Sequence, residues 1–546
     1  MQSQARGLCH LCYNVAMTQE NSKQKPSSVS LNHVVFWPPF LLLLTAVALN
    51  FISPDTVDAD GKKIEGAFSR IINGSEDWIL DHFSWMFSLC AFLSLCLCIW
   101  ICFSKFGKVR IGGSKAEPLM SMWNWFSITI CTTIAIGILF WSTAEPIAHY
   151  TGLPTKIAEP NTPEAATFAL STMYLHWSFT PYAIYCVASL MFAFAYYNMK
   201  KPFSLGSTVT PLIGDLATGK GGNVIDAVCL YALVAGMASA LGTGILMLSA
   251  GLTDIAGIPS NAFVWASIAV AIVATFIISS ATGLMNGIRI LSDINTKLLM
   301  LLAVLALCFG GSTLWILSQS GLSLVDYVIY FVPRNAQFFP EKWGKDWTVF
   351  YWAVWLAWAP ITACFLGRIS YGRTVREFML VNFIFPSLFA IAWMSIFSGT
   401  ALHQEIGGLG LSEVMSRGGA AAVSYKVFEQ FPFATAVTIF YMVSAFVCFV
   451  TSSDSNMSAM ASISSSGISP ENPEGNQWLK IVWGVTVGTV AWVMISFASG
   501  AEGTDGTEGI KTLSTLGGFP AAILELLIIG ALVRVVLFHK QLSEVD

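Results

Sequence analysis

WTVFYWAVWLAWAPITACFLGRISYGRTVREF, residues 347–378, sets an apolar run of membrane-spanning length against a group of arginines. Residues 346–366 carry no charge after Asp346 and are long enough, as a helix, to cross about 30 Å of hydrocarbon. Trp352, Trp355 and Trp358 recur at every third position, which keeps them within about a third of the helix circumference. Tryptophan normally prefers the membrane interface, and deep in a span its N–H needs a partner. A stripe of three looks like one wall of an aromatic cage, whose ring faces attract a quaternary cation. It equally suits an aromatic seam between two helices. Pro360 and Gly367 follow, and Arg368, Arg373 and Arg376 mark the polar loop beyond the span.

The same pattern recurs along the whole chain. Of 546 residues, 55% are apolar and only 11% charged; soluble proteins carry roughly a quarter charged residues, so there is too little charge here for a water-facing surface. The net charge of −4 offers no basic footprint for nucleic acid. Spans are expected at 35–53, 82–104, 120–143, 170–196, 226–252, 261–281, 297–318, 346–366, 378–402, 433–455, 479–499 and 516–538, about twelve helices that leave both termini on one side. Lys105, Lys108, Arg110 and Lys115 follow the second span, Lys200, Lys201 and Lys220 the fourth, and three arginines the eighth. The positive-inside rule puts those loops and both termini in the cytoplasm. Residues 321–332 and 411–430 read as interfacial segments, the second as a surface helix on the outer side.

Residues 1–33 read as a polar cytoplasmic leader without a cleavable signal. Met17 offers a second start, which would make residues 1–16 an upstream extension. Cys9 and Cys12 make a lone CxxC there, weak evidence for redox or metal chemistry. Several other cysteines lie inside apolar runs, where cysteine behaves as a small hydrophobe.

Three further stretches carry candidate chemistry. The third span continues through IAIGILFWSTAEPIAHY (134–150), where Gly137, Pro146 and a membrane-edge Glu145 invite a break. Unwound backbone offers free N–H and C=O groups to a solute; a kinked structural helix explains the same residues. HWSFTPYAIY (176–185) supplies an opposite wall, Trp177, Tyr182 and Tyr185 around Pro181, with hydroxyls for a carboxylate. His176 reads as a packed, hydrogen-bonded histidine. CFVTSSDSNMS (448–458) clusters the hydroxyls of Thr451, Ser452, Ser453 and Ser455, hard oxygens that suit sodium, although such hydroxyls also bond back to their own helix. No GxxxxGK[ST] or HExxH occurs, so neither ATP hydrolysis nor intramembrane enzyme chemistry is expected.

These segments, in this order, resemble the betaine/choline/carnitine transporter family. The resemblance runs over about 34–540, leaving 541–546 as a short tail. GRISYGRTVREF (367–378) is its most distinctive part, supported by FWSTAEPIAHY (140–150), GMASALGTG (236–244), GIRILSDIN (287–295) and VTSSDS (450–455). It implies an all-α integral membrane protein with a LeuT-like 5+5 inverted repeat, spans 3–7 and 8–12, after two extra N-terminal helices. It also implies a homotrimer in a bacterial inner membrane, working by alternating access. By position, the family's aromatic box falls on Trp177, Tyr182, Tyr185 and Trp355, with Trp358 beside it and Phe365 further along the cytoplasmic route. A sodium site would use the Thr451 and Ser452 hydroxyls and carbonyls near Cys131, Ile134 and Cys448.

Departures from the family pattern bear on the solute. Thr133, Ile134, Ala135, Ile136 and Gly137 stand where betaine carriers show a glycine-rich GMGIG, Val354 where many members have tryptophan, and Tyr182 where tryptophan is usual. Choline carriers tend to place an aspartate at the position of Gly137, and sodium-independent carnitine exchangers an arginine at that of Asn295. The resemblance therefore implies sodium-coupled uptake of a small zwitterion, glycine betaine or a sulfonium analogue such as dimethylsulfoniopropionate, with no cofactor beyond sodium. A carnitine-type antiporter and choline uptake are the alternatives. An osmosensor is disfavoured by the short tails.

Overall fold

The computed structural model describes residues 29–57, 63–134, 136–281, 284–469, 474–498 and 506–545. The leader through residue 28, with its CxxC and Met17, lies outside them, as does Ala135. Lipid offers the backbone no hydrogen bonds, so each apolar run pairs its N–H and C=O groups internally as helix. In chain order these are α1 (His33–Ile52), α2 (Ala67–Phe103), α3 (Met122–Ile134), α4 (Gly137–Gly152), α5 (Pro163–Trp177), α6 (Phe179–Ala193), α7 (Lys220–Ala256), α8 (Ala262–Ala281) and α9 (Leu284–Phe309). There follow α10 (Thr313–Ile329), α11 (Phe350–Ile369), α12 (Phe385–Ile406), α13 (Leu411–Gly418), α14 (Ala420–Phe428), α15 (Ala434–Ile463), α16 (Gln477–Ala498) and α17 (Thr507–Leu542). Among the described residues the strands are two short antiparallel pairs, Ser30–Leu31 with Ser465–Ser466 and Thr56–Val57 with Lys63–Ile64.

The protein is an all-α membrane protein. Ten helical segments among the described residues are long and apolar enough to cross a bilayer, and α3 with α4, bent by 56°, makes an eleventh. At the expected sixth span stands α8, whose apolar stretch Ala262–Ile278 is shorter. The spans at 163–198 and 342–369 form the centre: their most apolar windows are 94% buried, against 22% for α1 at the periphery.

Three expected boundaries are corrected. Hydropathy starts the second span at residue 82, but α2 begins at Ala67 because its polar first turns pack on α17 rather than unwinding. There Glu76 accepts hydrogen bonds from Thr512 (2.6 Å) and Thr515 (3.3 Å). The expected span 297–318 runs across two helices: α9 stops at Phe309 and α10 begins at Thr313. Gly310, between them, has no room for a side chain, since a Cβ would sit 2.5 Å from the Ala306 carbonyl oxygen. The surface helix expected at 411–430 is two helices divided at Gly419, whose φ is +78°. The second of these, α14, is buried rather than surface-lying, with Val423, Val427 and Phe428 fully covered.

The GRISYGRTVREF stretch is explained by the turn it makes. Gly372 adopts φ +78°, and a Cβ there would collide with the Glu117 backbone at 2.1 Å. The N–H groups of Gly372 and Val375 donate to the Ile111 and Val109 carbonyls (2.9 and 2.8 Å), and the Ile111 N–H donates to the Arg373 carbonyl (2.9 Å). Thr374 and Glu377 close a capping box on the next helix. The loop after α11 is thereby tied to the loop after α2.

Small residues let α11 sit close to its neighbours α6, α7 and α17. Gly518 of α17 faces the Ala353 backbone of α11, where a Cβ would lie 2.5 Å from the carbonyl oxygen. Backbone cannot swing aside as a side chain can. Gly518→Val should therefore cost about 1–3 kcal/mol of stability, read as a lower thermal midpoint in detergent. Gly530→Ala, whose added Cβ would meet only the Leu212 side chain at 3.3 Å, should shift the midpoint little; equal shifts would count against this packing.

Candidate functional site

The span from Pro163 to Asn198 is interrupted at Ser178, where φ −113° and ψ −117° separate α5 from α6. The Ser178 hydroxyl donates back to the Tyr174 carbonyl at 2.5 Å. The interruption sets Trp177, at the end of α5, and Tyr182 and Tyr185, at the start of α6, against one stretch of α11. Trp355 is where they meet: its ring centroid lies 5.7 Å from Trp177, 5.5 Å from Tyr182 and 4.9 Å from Tyr185. The Trp355 N–H donates to the His176 carbonyl at 3.1 Å, which gives the buried indole the partner it needs.

A cavity opens beside this group, lined by Trp177, Tyr185, Trp355, Trp358, Val354, Gly137 and Thr133, among others. Gly137 is the close approach: a Cβ there would be 3.2 Å from the Trp177 ring. Tyr182 packs against Trp355 and Tyr185 instead of lining the cavity. Its buried hydroxyl lies beside the Thr133 side chain. Phe365 lies ten residues beyond Trp355, roughly 15 Å further along the helix, where it faces Arg368 at 5.9 Å. Trp352 departs from the expected three-residue wall. It is buried against His176, 6.0 Å between centroids, because each step of three turns the side chain a further sixth of the circumference.

The break in the third span falls between Ile134 and Gly137, whereas Pro146 lies inside α4 without interrupting it. Glu145 lies on α4 beside Pro146. It is fully buried, and both of its carboxylate oxygens are engaged. Oε1 lies 2.7 Å from His176 Nδ1 and 3.0 Å from His149 Nε2; Oε2 accepts from the Trp177 indole at 2.9 Å and the Tyr351 hydroxyl at 2.5 Å. His176 is packed and hydrogen-bonded, as its sequence context implied. The participation of His149 and Tyr351 was missed. The available signals were the four-residue spacings Glu145/His149 and Tyr351/Trp355, which put each pair on one helix face.

On α15 the Thr451 hydroxyl donates to the carbonyls of Val447 and Cys448, both at 2.9 Å. Ser452 reaches across to the broken span, its hydroxyl 3.4 Å from the Thr132 carbonyl. Ser455 approaches the Thr132 hydroxyl at 3.4 Å. The oxygen that α3 presents to these hydroxyls is thus that of Thr132, next to the expected Cys131. The Cys131 thiol itself turns to α9, 3.4 Å from the Ser292 carbonyl, and Ile134 is the last residue of α3.

The sequence profile of the betaine/carnitine/choline family transporters matches residues 34–541. The chain belongs to this family. Glycine betaine transporter 1 of Vibrio parahaemolyticus serotype O3:K6 is 32% identical over 431 residues, 77% of this chain and 79% of that protein. The high-affinity choline transport protein of Escherichia coli K12 is 30% identical over 428 residues, 77% of this chain and 62% of that protein. Among solved structures, a substrate-bound, outward-open Na+-coupled sialic acid symporter aligns over 83% of this chain and 82% of its own. Its identity is 11% and the TM-score 0.39, a distant likeness. As a betaine/carnitine/choline family member the chain is a membrane transporter and not an enzyme.

Two of the departures from the family pattern, Thr133 and Val354, line the same cavity. Thr133 donates its hydroxyl to the Thr129 carbonyl at 2.8 Å. The bulk of Ile136 is accommodated by Gly244 of α7, where a Cβ would come within 3.2 Å of it. Asn295 is fully buried on α9, its amide 3.5 Å from the Cys131 thiol.

Proposed function

We propose that this transporter imports a betaine-like zwitterion, glycine betaine or a sulfonium analogue such as dimethylsulfoniopropionate, in symport with sodium. The observation that carries this reading is the contact of Trp177, Tyr182 and Tyr185 with Trp355 beside a cavity floored by Gly137. Onium methyls would sit against these rings, each good cation–π contact contributing roughly 0.5–2 kcal/mol. The glycine at 137 leaves the floor without a countercharge, which suits a solute that brings its own carboxylate. A tyrosine hydroxyl of the cage, that of Tyr185 at the cavity wall, would donate to that carboxylate. Sodium would be held where Thr451 and Ser452 face the broken span, and its entry gains roughly 2.3 kcal/mol per charge per 100 mV of membrane potential. Alternating access would move the inverted repeats about this site, in a homotrimer with cytoplasmic termini in a bacterial inner membrane.

The direct test is competition of unlabelled glycine betaine, dimethylsulfoniopropionate, carnitine, choline and ectoine against labelled uptake. Choline outcompeting every zwitterion would sink the proposal. Gly137→Asp probes the same point from the protein side. It adds a carboxylate against Trp177, whose ring must yield a few tenths of an ångström to a Cβ 3.2 Å away. The variant should improve choline as a competitor by about tenfold, near 1.4 kcal/mol, and weaken glycine betaine. Unchanged inhibition constants would mean that the floor at 137 does not face the head group.

A further inference from the structure

We infer that Glu145 sets the charge preference of the aromatic cage, acting through Trp177 and Tyr351 as a buried anion that biases the site toward an onium head group. The inference rests on the cage proposed above. A carboxylate accepts at both oxygens: the Trp177 N–H and the Tyr351 hydroxyl donate to one, and His176 Nδ1 and His149 Nε2 lie 2.7 and 3.0 Å from the other and donate to it in the tautomers assigned below. A protonated carboxyl would set its own O–H against one of them. With both histidines neutral, which spares the interior a second buried charge, every polar group of the cluster but one is met. His176 donates through Nδ1 and accepts at Nε2 from the Thr348 hydroxyl at 3.1 Å. His149 donates through Nε2, and its buried Nδ1 has no partner among the described residues, which suits a bare ring nitrogen better than a buried N–H. Nearby cations are already paired, Arg334 with Asp326 at 2.6 Å and Lys511 with Glu508 at 3.0 Å. With neutral histidines the cluster keeps one negative charge on a fully buried carboxylate.

The indole transmits that charge to the cage. Trp177 gives its N–H to Glu145 while its ring meets Trp355 edge-on and abuts Gly137 at the cavity floor. A hydrogen bond to an anion polarises the donor ring and deepens the negative face that a cation meets. In a low-dielectric interior the charge itself also favours an onium over a neutral group of the same shape. A purely structural Glu145 would hold the ring equally well for either ligand, and this difference is what an experiment can read.

The test compares binding of glycine betaine with that of its carbon isostere, 3,3-dimethylbutanoate, to the purified full-length protein by tryptophan fluorescence titration. Wild type should prefer the onium. Glu145→Gln should narrow that preference by roughly three- to tenfold, the isostere losing less. Glu145→Asp, which keeps the charge, should weaken both ligands and preserve the ratio. Equal losses in Glu145→Gln, or an unchanged ratio, would overturn the inference and leave Glu145 a structural anchor. A wild-type protein with no preference for the onium would instead sink the cage itself. Should Glu145→Gln fail to reach the membrane, Trp177→Phe decides, since it keeps a ring but severs the link to the anion. An undiminished preference in that variant overturns the inference.

Discussion

Trp355→Ala should raise the KM for glycine betaine by roughly two orders of magnitude, about 2.7 kcal/mol, and leave uptake near background at micromolar solute. Trp355 is the shared wall: it touches Trp177, Tyr182 and Tyr185, and its removal separates all three contacts at once. The loss combines a missing ring face, roughly 0.5–2 kcal/mol, with the slackening of the rings it held. Trp355→Phe should fall between, at about tenfold. It keeps a ring face but forfeits the hydrogen bond to the His176 carbonyl at 3.1 Å. Tryptophan-to-alanine changes in cores also destabilise by about 3–5 kcal/mol, so uptake must be expressed per folded transporter in the membrane. If Trp355→Ala transports normally on that basis, the cage assignment is wrong.

Replacing sodium by potassium should reduce accumulation by wild type to background, and Thr451→Ala with Ser452→Ala should reproduce that loss at ordinary sodium. Both hydroxyls would serve as hard ligands near the break in the third span, Ser452 within 3.4 Å of the Thr132 carbonyl. Removing them should raise the sodium concentration for half-maximal uptake by about tenfold or more, at least ~1.4 kcal/mol. Neither change touches a cage ring, so the sodium dependence should shift further than the solute affinity measured at saturating sodium. Gradient-independent uptake that is stimulated by internal solute would overturn symport and favour an exchanger.

The sequence carried the membrane class because backbone in lipid must pair its own polar groups as helix, so hydropathy marks most spans, although it ran one across α9 and α10. It carried the grouping of these aromatic rings for a related reason. Helical spacing fixes which face Trp355 and Trp358 share, and Tyr182 and Tyr185 both follow one proline within a few residues. Periodicity gives less where a polar segment stays helical. The early start of α2 depends on Glu76 finding Thr512 on the last helix, and the burial of α14 depends on its neighbours.

Glu145 is the plainest case. From sequence it is an acid beside a proline, marking a break at the membrane edge; in the fold it is the acceptor for groups from α4, α5 and α11. Its partners Trp177 and Tyr351 are 32 and 206 residues away. Spacing within a helix determines which side chains share a face. Only the packing of separate helices decides which faces meet, and a buried charge can be kept only where that packing brings its donors together.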